Sequence, residues 1–500
     1  MIKIRTIVLF ISLLFSFDEI NAQDNTINWI TKKLLKNESQ VNTQSIDSRI
    51  GSPNIVNTIE LNDLINQNTI LPFYYWSWSN ANDLSKKIKD TSISTSPILK
   101  NLLVSAIISE MPTDLKIPSE SNLYLTRLNK LIKMGRLKEA QLFIKTNDPT
   151  LSVSSDQQFD IDIIRGNDTL ACAHNKSLNQ RHTSLKKKLY CLSYQGRMEE
   201  ALITFETAKT LGFVDENDIT ILDALLSKND NNISPSSIRK DSFSNLDIVI
   251  LTKTGINTSK DVKDIKDVRS HIYIYNQNID KEKKIISAEY LTKMAVISSS
   301  ELFNLYKNNS LKTFVNADLK TKIKHIRSLE KAILDDQDEV IQALLIEGWE
   351  IFNKNKLSKQ FCQNYSDEIL DQFNSGWVTV LSTKMSLLTG NYIEMNNQLS
   401  ASSNFIAAQG IAKNDYSNVK NLSSYKSNIV DAIRYPEYKE KNITLIEQGK
   451  IGEVILESID LLSTQKSKSN PNLKAGLSGL MQADLKEAAK QLAIEYILAD

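Results

Sequence analysis

The sequence predicts an all-α protein built from helical hairpins, and three observations predict it. Glycine and proline are scarce, 14 and 9 residues in 500; together that is about 5%, where average proteins carry roughly 12%. Sandwiches, barrels and doubly wound sheets need turn-formers at every corner, and long helices do not. Apolar residues recur at i, i+4 and i+7 rather than in alternation, the spacing of a helix face. A Gly-x4-Ala pattern also returns at a fixed step, which marks stacked supersecondary units.

Residues 1–22 read as a secretory signal. Lys3 and Arg5 give a positive start, Thr6 to Phe17 is apolar, and Ile20-Asn-Ala22 offers a small residue for cleavage. The apolar run is about 12 residues, short of the roughly 20 that a membrane span needs, and Asp18 and Glu19 follow it directly. Cleavage is expected after Ala22, leaving a soluble protein in the periplasm or outside the cell, and no other stretch is long and apolar enough to span a bilayer. Lys and Arg number 60 against 59 Asp and Glu, a formal charge of +1. That balance excludes a basic nucleic-acid binder and an acidic disordered tail as descriptions of the whole chain. Residues 23–117 are expected to form an N-terminal helical cap region. Its densest feature is Tyr74-Tyr-Trp-Ser-Trp78. Such a cluster could serve as a binding hot spot, but a solenoid also needs its open apolar end covered, and the covering role is the expectation.

Between 118 and 228 the order is clearest. Gly135-Arg-Leu-Lys-Glu-Ala140 recurs as Gly196-Arg-Met-Glu-Glu-Ala201, with Gly166-Asn-Asp-Thr-Leu-Ala171 midway, so the glycines step by 31 and 30 residues. In the third unit Leu185, Leu189 and Leu192 share a face before the glycine, and Ala201, Phe205 and Ala208 share one after it. The first unit repeats this with Leu128, Leu131, Gly135, Ala140 and Ile144, whereas Asp162 and Asn175 make the middle unit polar at two corresponding places. A glycine can end the first helix in a left-handed conformation at little cost, and a small Ala lets the second helix approach closely. This pattern resembles the tetratricopeptide repeat: a helix, a glycine-containing turn, then a helix with Ala and an aromatic residue one turn on. The step is three or four residues short of the roughly 34 of that family, and no unit carries its closing Pro or opening Trp. The resemblance implies tetratricopeptide-like hairpins stacked into a solenoid, with Gly135, Gly166 and Gly196 as hinges and Ala140, Ala171, Ala201 and Phe205 as packing residues.

Residues 229–290 read as a linker and irregular segment, and 291–500 as a second helical array. Lys228–Asn245, Ser463–Pro471 and Gln40–Asn57 are polar stretches. Ile248-Val-Ile-Leu251 and Ile272-Tyr-Ile-Tyr275 are expected as extended apolar segments lying against helices, or as short strands. Gly449-Lys-Ile-Gly452 and Gly390-Asn-Tyr392 each suggest a further hairpin. Ala483-Asp-Leu-Lys-Glu-Ala488 copies residues 135–140 with Ala483 in the place of Gly135, and Leu485, Ala489, Leu492 and Tyr496 continue one face. The whole order, from signal to Ala/Leu-rich last helix, resembles a family of exported helical proteins of alphaproteobacteria that often carries an antifreeze-polyprotein label. Helical-packing motifs alone carry that resemblance, so it implies a fold and a compartment and no activity. The sequence has no Ala-Ala-Thr tripeptides and no regular Thr array to match an ice lattice.

Motifs that could carry chemistry are few. Cys172, His174, His182 and Cys191 lie within twenty residues. Two thiolates and two imidazoles could hold zinc, but the spacing matches no known finger and exported proteins oxidise such pairs. A Cys172–Cys191 disulfide pinning adjacent hairpins is the expectation, with free thiols and a metal as alternatives. Ala475-Gly-Leu-Ser-Gly-Leu-Met-Gln482 resembles a motif of lytic transglycosylases, in which an upstream Glu-Ser pair, here Glu457-Ser458, supplies the catalytic acid. Too little chain follows the motif to complete that domain, and Glu457 sits in an ordinary amphipathic run. His271 and His325 have no ligand-spaced neighbours, Lys186-Lys-Lys188 reads as a solvated helix face, and there is no HExxH, P-loop, GxSxG or CxxCH. The expected function is a non-catalytic periplasmic scaffold or adaptor for a protein or peptide partner, with no cofactor and no nucleic acid. A glycan-acting enzyme and a purely structural envelope protein are the alternatives.

Overall fold

In a computed structural model of the chain, the described residues are 73–76, 78–94, 96–111, 122–148, 154–177, 184–226, 243–254, 270–275, 279–309, 314–390, 402–437, 439–463 and 471–498. The expected signal segment and its cleavage point lie outside them. Every regular element among them is helical: 24 α-helices, a 3-10 turn at Phe73–Trp76, and no strand.

Polar residues start the helices. α1 (Ala81–Asp90) begins under Asn80, whose side chain accepts the amides of Asn82 and Asp83. α2 (Pro97–Ile108) opens on a proline, which has no amide to leave unpaired. Then come α3 (Asn122–Lys133), α4 (Leu137–Asn147), α5 (Ser155–Ile164), α6 (Asp168–Ser177), α7 (Leu185–Tyr194), α8 (Met198–Thr210) and α9 (Glu216–Leu226). The three units read from the sequence are the pairs α3/α4, α5/α6 and α7/α8, each packed on itself. The chain continues through α10 (Asn245–Lys253), α11 (Ser270–Tyr275), α12 (Lys281–Lys293), α13 (Ser299–Asn308), α14 (Ala317–Leu334), α15 (Asp338–Lys354), α16 (Ser358–Asn364) and α17 (Ser366–Asn374). It closes with α18 (Val380–Thr389), α19 (Ser403–Lys413), α20 (Ser424–Arg434), α21 (Glu440–Glu447), α22 (Ile451–Ser463), α23 (Pro471–Gln482) and α24 (Lys486–Leu498).

One turn recurs. Between α3 and α4 stand three residues, the middle one being Gly135 at φ +77°. The Gly135 amide donates to Ile132 O at 2.9 Å and the Arg136 amide to Leu131 O at 3.0 Å, the Schellman pattern that satisfies a helix's last carbonyls. Gly166 and Gly196 do the same. So do Asp336, Lys356, Gly449 and Asp484 between α14/α15, α15/α16, α21/α22 and α23/α24. Five residues past each hinge the side chain is buried: Ala140, Ala171, Ala201, Ile341, Phe361, Val454 and Ala489. The C-terminal copy is therefore offset by one from the expected match. Asp484, not Ala483, takes the place of Gly135, and Ala489 takes that of Ala140.

The segments expected to be extended are helical. Ser244 and Asp247 form a capping box that starts α10. Leu246, Ile248, Val249, Ile250 and Leu251 are all buried, since both α5 and α9 pack on that helix. A helix covered this widely needs no polar face, so a β-branched run fits it.

The first and last helices share a core. α22 packs on α1, α2 and the 3-10 turn as well as on α23. Trp76 is fully buried and donates Nε1–H to Ser109 Oγ at 2.8 Å. Its ring lies over Gly452, where a Cβ would come within 2.2 Å. Around it the Ser92 amide donates to Asp460 at 2.8 Å, and Lys87 pairs with Glu453 at 3.1 Å. Trp76 of the aromatic cluster thus joins two distant stretches of chain, while Trp78 is 74% exposed.

Candidate interaction surface

The three hairpins place the predicted packing residues inside. Ala140, Ala171 and Ala201 are fully buried, and Phe205 fills a small core with Leu189, Leu192, Leu222 and Leu226. The polar middle unit has a physical answer: buried Asp162 accepts from Gln141 Nε2 and Gln158 Nε2, both at 2.9 Å. The other side of α8 is different. In the first unit the second helix, α4, is packed against both α2 and α5, whereas α8 packs only on α7 and α9 among the principal contacts of the described residues. It leaves Ile203 70% and, just past its end, Leu211 60% and Phe213 75% exposed, with Tyr194 and Leu202 partly so. Exposed apolar side chains mark interaction surfaces where they form a contiguous patch.

Cys172 and Cys191 are joined, with Cα atoms 5.3 Å apart. Both are buried, and the bond ties α6 to α7, the second unit to the third. Beside it Tyr190 donates its hydroxyl hydrogen to Asp168, and Lys253 of α10 lies 2.5 Å from the other Asp168 oxygen. Burial and then the Asp168 charge push the Tyr190 hydroxyl well above its ordinary pKa. The basic run expected to be a solvated face is instead a pair of clamps. Lys186 of α7 donates to Asp247 of α10 at 2.8 Å and pairs with Asp218 of α9, while Lys187 pairs with Asp156 of α5 at 2.8 Å.

His271, isolated in sequence, is not isolated in space. Its Nε2 lies 3.1 Å from the carbonyl of Gly135, and its ring stacks on Tyr275. The Tyr275 carbonyl would stand 3.4 Å from a Cβ at Gly166. α11 therefore rests on the hinges of the first two units. Burial holds the imidazole down at about 4, and its Nδ1 faces no partner. No spacing signal points to this contact; only the hinge glycines themselves are visible in the sequence.

The residues with catalytic potential are engaged structurally. Lys441 Nζ donates to both oxygens of Glu457 at 2.9 and 2.7 Å. Ser458 Oγ would meet a Cβ at Gly479 at 2.2 Å, and Leu462 one at Gly476 at 2.6 Å; the two glycines of the 475–482 motif let α23 lie close on α22. Burial lowers Lys100 and Lys130 to about 8, yet each amine caps a helix end. Lys130 donates to Lys89 O at 3.0 Å and to Thr91 O, and Lys100 donates to Met294 O. Burial pushes the Cys362 thiol far up. Among the described residues no three His, Cys, Asp or Glu side chains come together as metal ligands; the side chains of His174 and His182 lie outside them. No described helix is long and apolar enough to cross a membrane.

No protein-family model, curated protein or solved structure matches the chain.

Proposed function

We propose that the protein is a non-catalytic interaction scaffold or adaptor of the bacterial periplasm, built on tetratricopeptide-like hairpins stacked into a solenoid. The observation that carries this reading is the set of exposed apolar side chains Ile203, Leu211 and Phe213, in and just past α8, at the end of three hairpins with a common turn. Stacked hairpins form concave surfaces that hold extended peptides or other proteins. The signal-like first 22 residues and the resemblance to exported alphaproteobacterial helical proteins supply the compartment. A near-neutral charge leaves side-chain contact, rather than long-range attraction, to select the partner.

Crosslinking and affinity capture from the envelope test it, comparing the natural protein with Ile203→Lys/Phe213→Lys. Both side chains are exposed, so the variant should keep its stability within about 0.5 kcal/mol. A captured species lost in the variant supports the proposal; an identical set from both contradicts it. An enzyme acting on cell-wall glycan is the competing reading, favoured by the contact of Ser458 with Gly479 beside Glu457. Peptidoglycan turnover by the purified protein that disappears in Glu457→Gln would replace the scaffold with that enzyme.

A further inference from the structure

Helix α14 carries Lys320, Lys324, Arg327 and Lys331 at i, i+4, i+7 and i+11, and all four are exposed. The helical rise sets them in one line about 16 Å long, with neighbours about 5–6 Å apart. None of them makes an ion pair among the described residues. The two acids of the helix are taken elsewhere. Asp318 pairs with Lys322 at 2.7 Å. Glu330 pairs with Lys307 at 2.6 Å and accepts from the Tyr365 hydroxyl at 2.9 Å.

Some lysines elsewhere in the molecule are matched across helices: Lys87 with Glu453, Lys138 with Glu301, Lys359 with Glu495 and Lys441 with Glu457. Like charges one turn apart destabilise a helix, and packing uses none of these four. The line ends on Leu334, in register at i+14 and 83% exposed. Exposed Asp335, Asp336, Asp338 and Glu339 follow at once.

We propose that this face of α14 binds an acidic amphipathic helix of a protein partner, with carboxylates at i, i+4, i+7 and i+11 and an apolar side chain against Leu334. The distances between turns are then the same on both helices, so each cation meets one carboxylate. A nucleic acid or an anionic bilayer presents phosphates over a width far beyond one line of side chains. The surface belongs to the C-terminal half and stands whether or not the face of α8 binds anything.

The test uses the full chain and a labelled synthetic helix as long as α14, bearing Glu at those four positions and Leu at i+14. Fluorescence anisotropy at low salt is expected to show binding that weakens as salt rises. Lys324→Glu/Arg327→Glu, whose helicity is checked by circular dichroism, should weaken binding about tenfold or more. A peptide of the same composition with shuffled Glu positions should lose a similar factor. No binding at low salt, equal binding of the shuffled peptide, or undiminished binding by the variant overturns the proposal. So does preferential binding of heparin or of phosphatidylglycerol vesicles.

Discussion

Gly135 and Gly196 share one left-handed conformation, φ +77° in each, yet a methyl group would find different surroundings at the two sites. A Cβ at Gly196 meets nothing within 4 Å, while one at Gly135 would stand 2.5 Å from Val296. Gly196→Ala should therefore show only the left-handed cost, about 1–2 kcal/mol. Gly135→Ala should add overpacking of about 1–3 kcal/mol. Urea titrations read the two as separate midpoints, and coincident midpoints would remove the Val296 contact from the account. Neighbouring His271 makes a second prediction. Its folded value of about 4 lies below the ordinary 6.5, so between those values the unfolded chain binds the extra proton. Stability is then complete above about pH 6.5 and falls as pH drops toward about 4, by about 3 kcal/mol in all. His271→Gln, which keeps a donor for the Gly135 carbonyl, should flatten that part of the stability–pH curve. An unchanged slope would assign the loss to other groups.

The Cys172–Cys191 bond closes a separation of 19 residues between α6 and α7. Chain entropy for such a loop gives about 3 kcal/mol. Cys172→Ser/Cys191→Ser should lose that amount, and hydrogen exchange should rise first in α6 and α7; an unchanged denaturation midpoint would show that the flanking clamps hold the two units without the bond. At this level much was readable in advance. The hinge glycines and the Ala five residues on are chemically distinctive, because a left-handed turn favours Gly and a close helix crossing favours Ala. Asp336 and Lys356 adopt the same turn without glycine, so composition carries no trace of them. The last copy misled by one residue because Leu-Lys-Glu-Ala recurs at 137–140 and 485–488, while burial selects Ala489. α10 misled because a β-branched run suits a covered helix as well as an extended chain.

Contacts that bind distant parts of the molecule leave no local pattern. The Ser92–Asp460 bond spans 368 residues, and Gly452 reads as a turn glycine until the Trp76 ring is seen above it. The low count of turn-formers was enough for the helical class; which helices meet is decided by pairs such as these. The first helices are held to the last ones by α22 lying on α1 and α2. That junction is most directly tested by native-state hydrogen exchange in Gly452→Leu, which drives a side chain into the space of Trp76. The account predicts that α1 and α2 lose protection together with α22. Wild-type protection of α1 and α2 while α22 opens alone would contradict it.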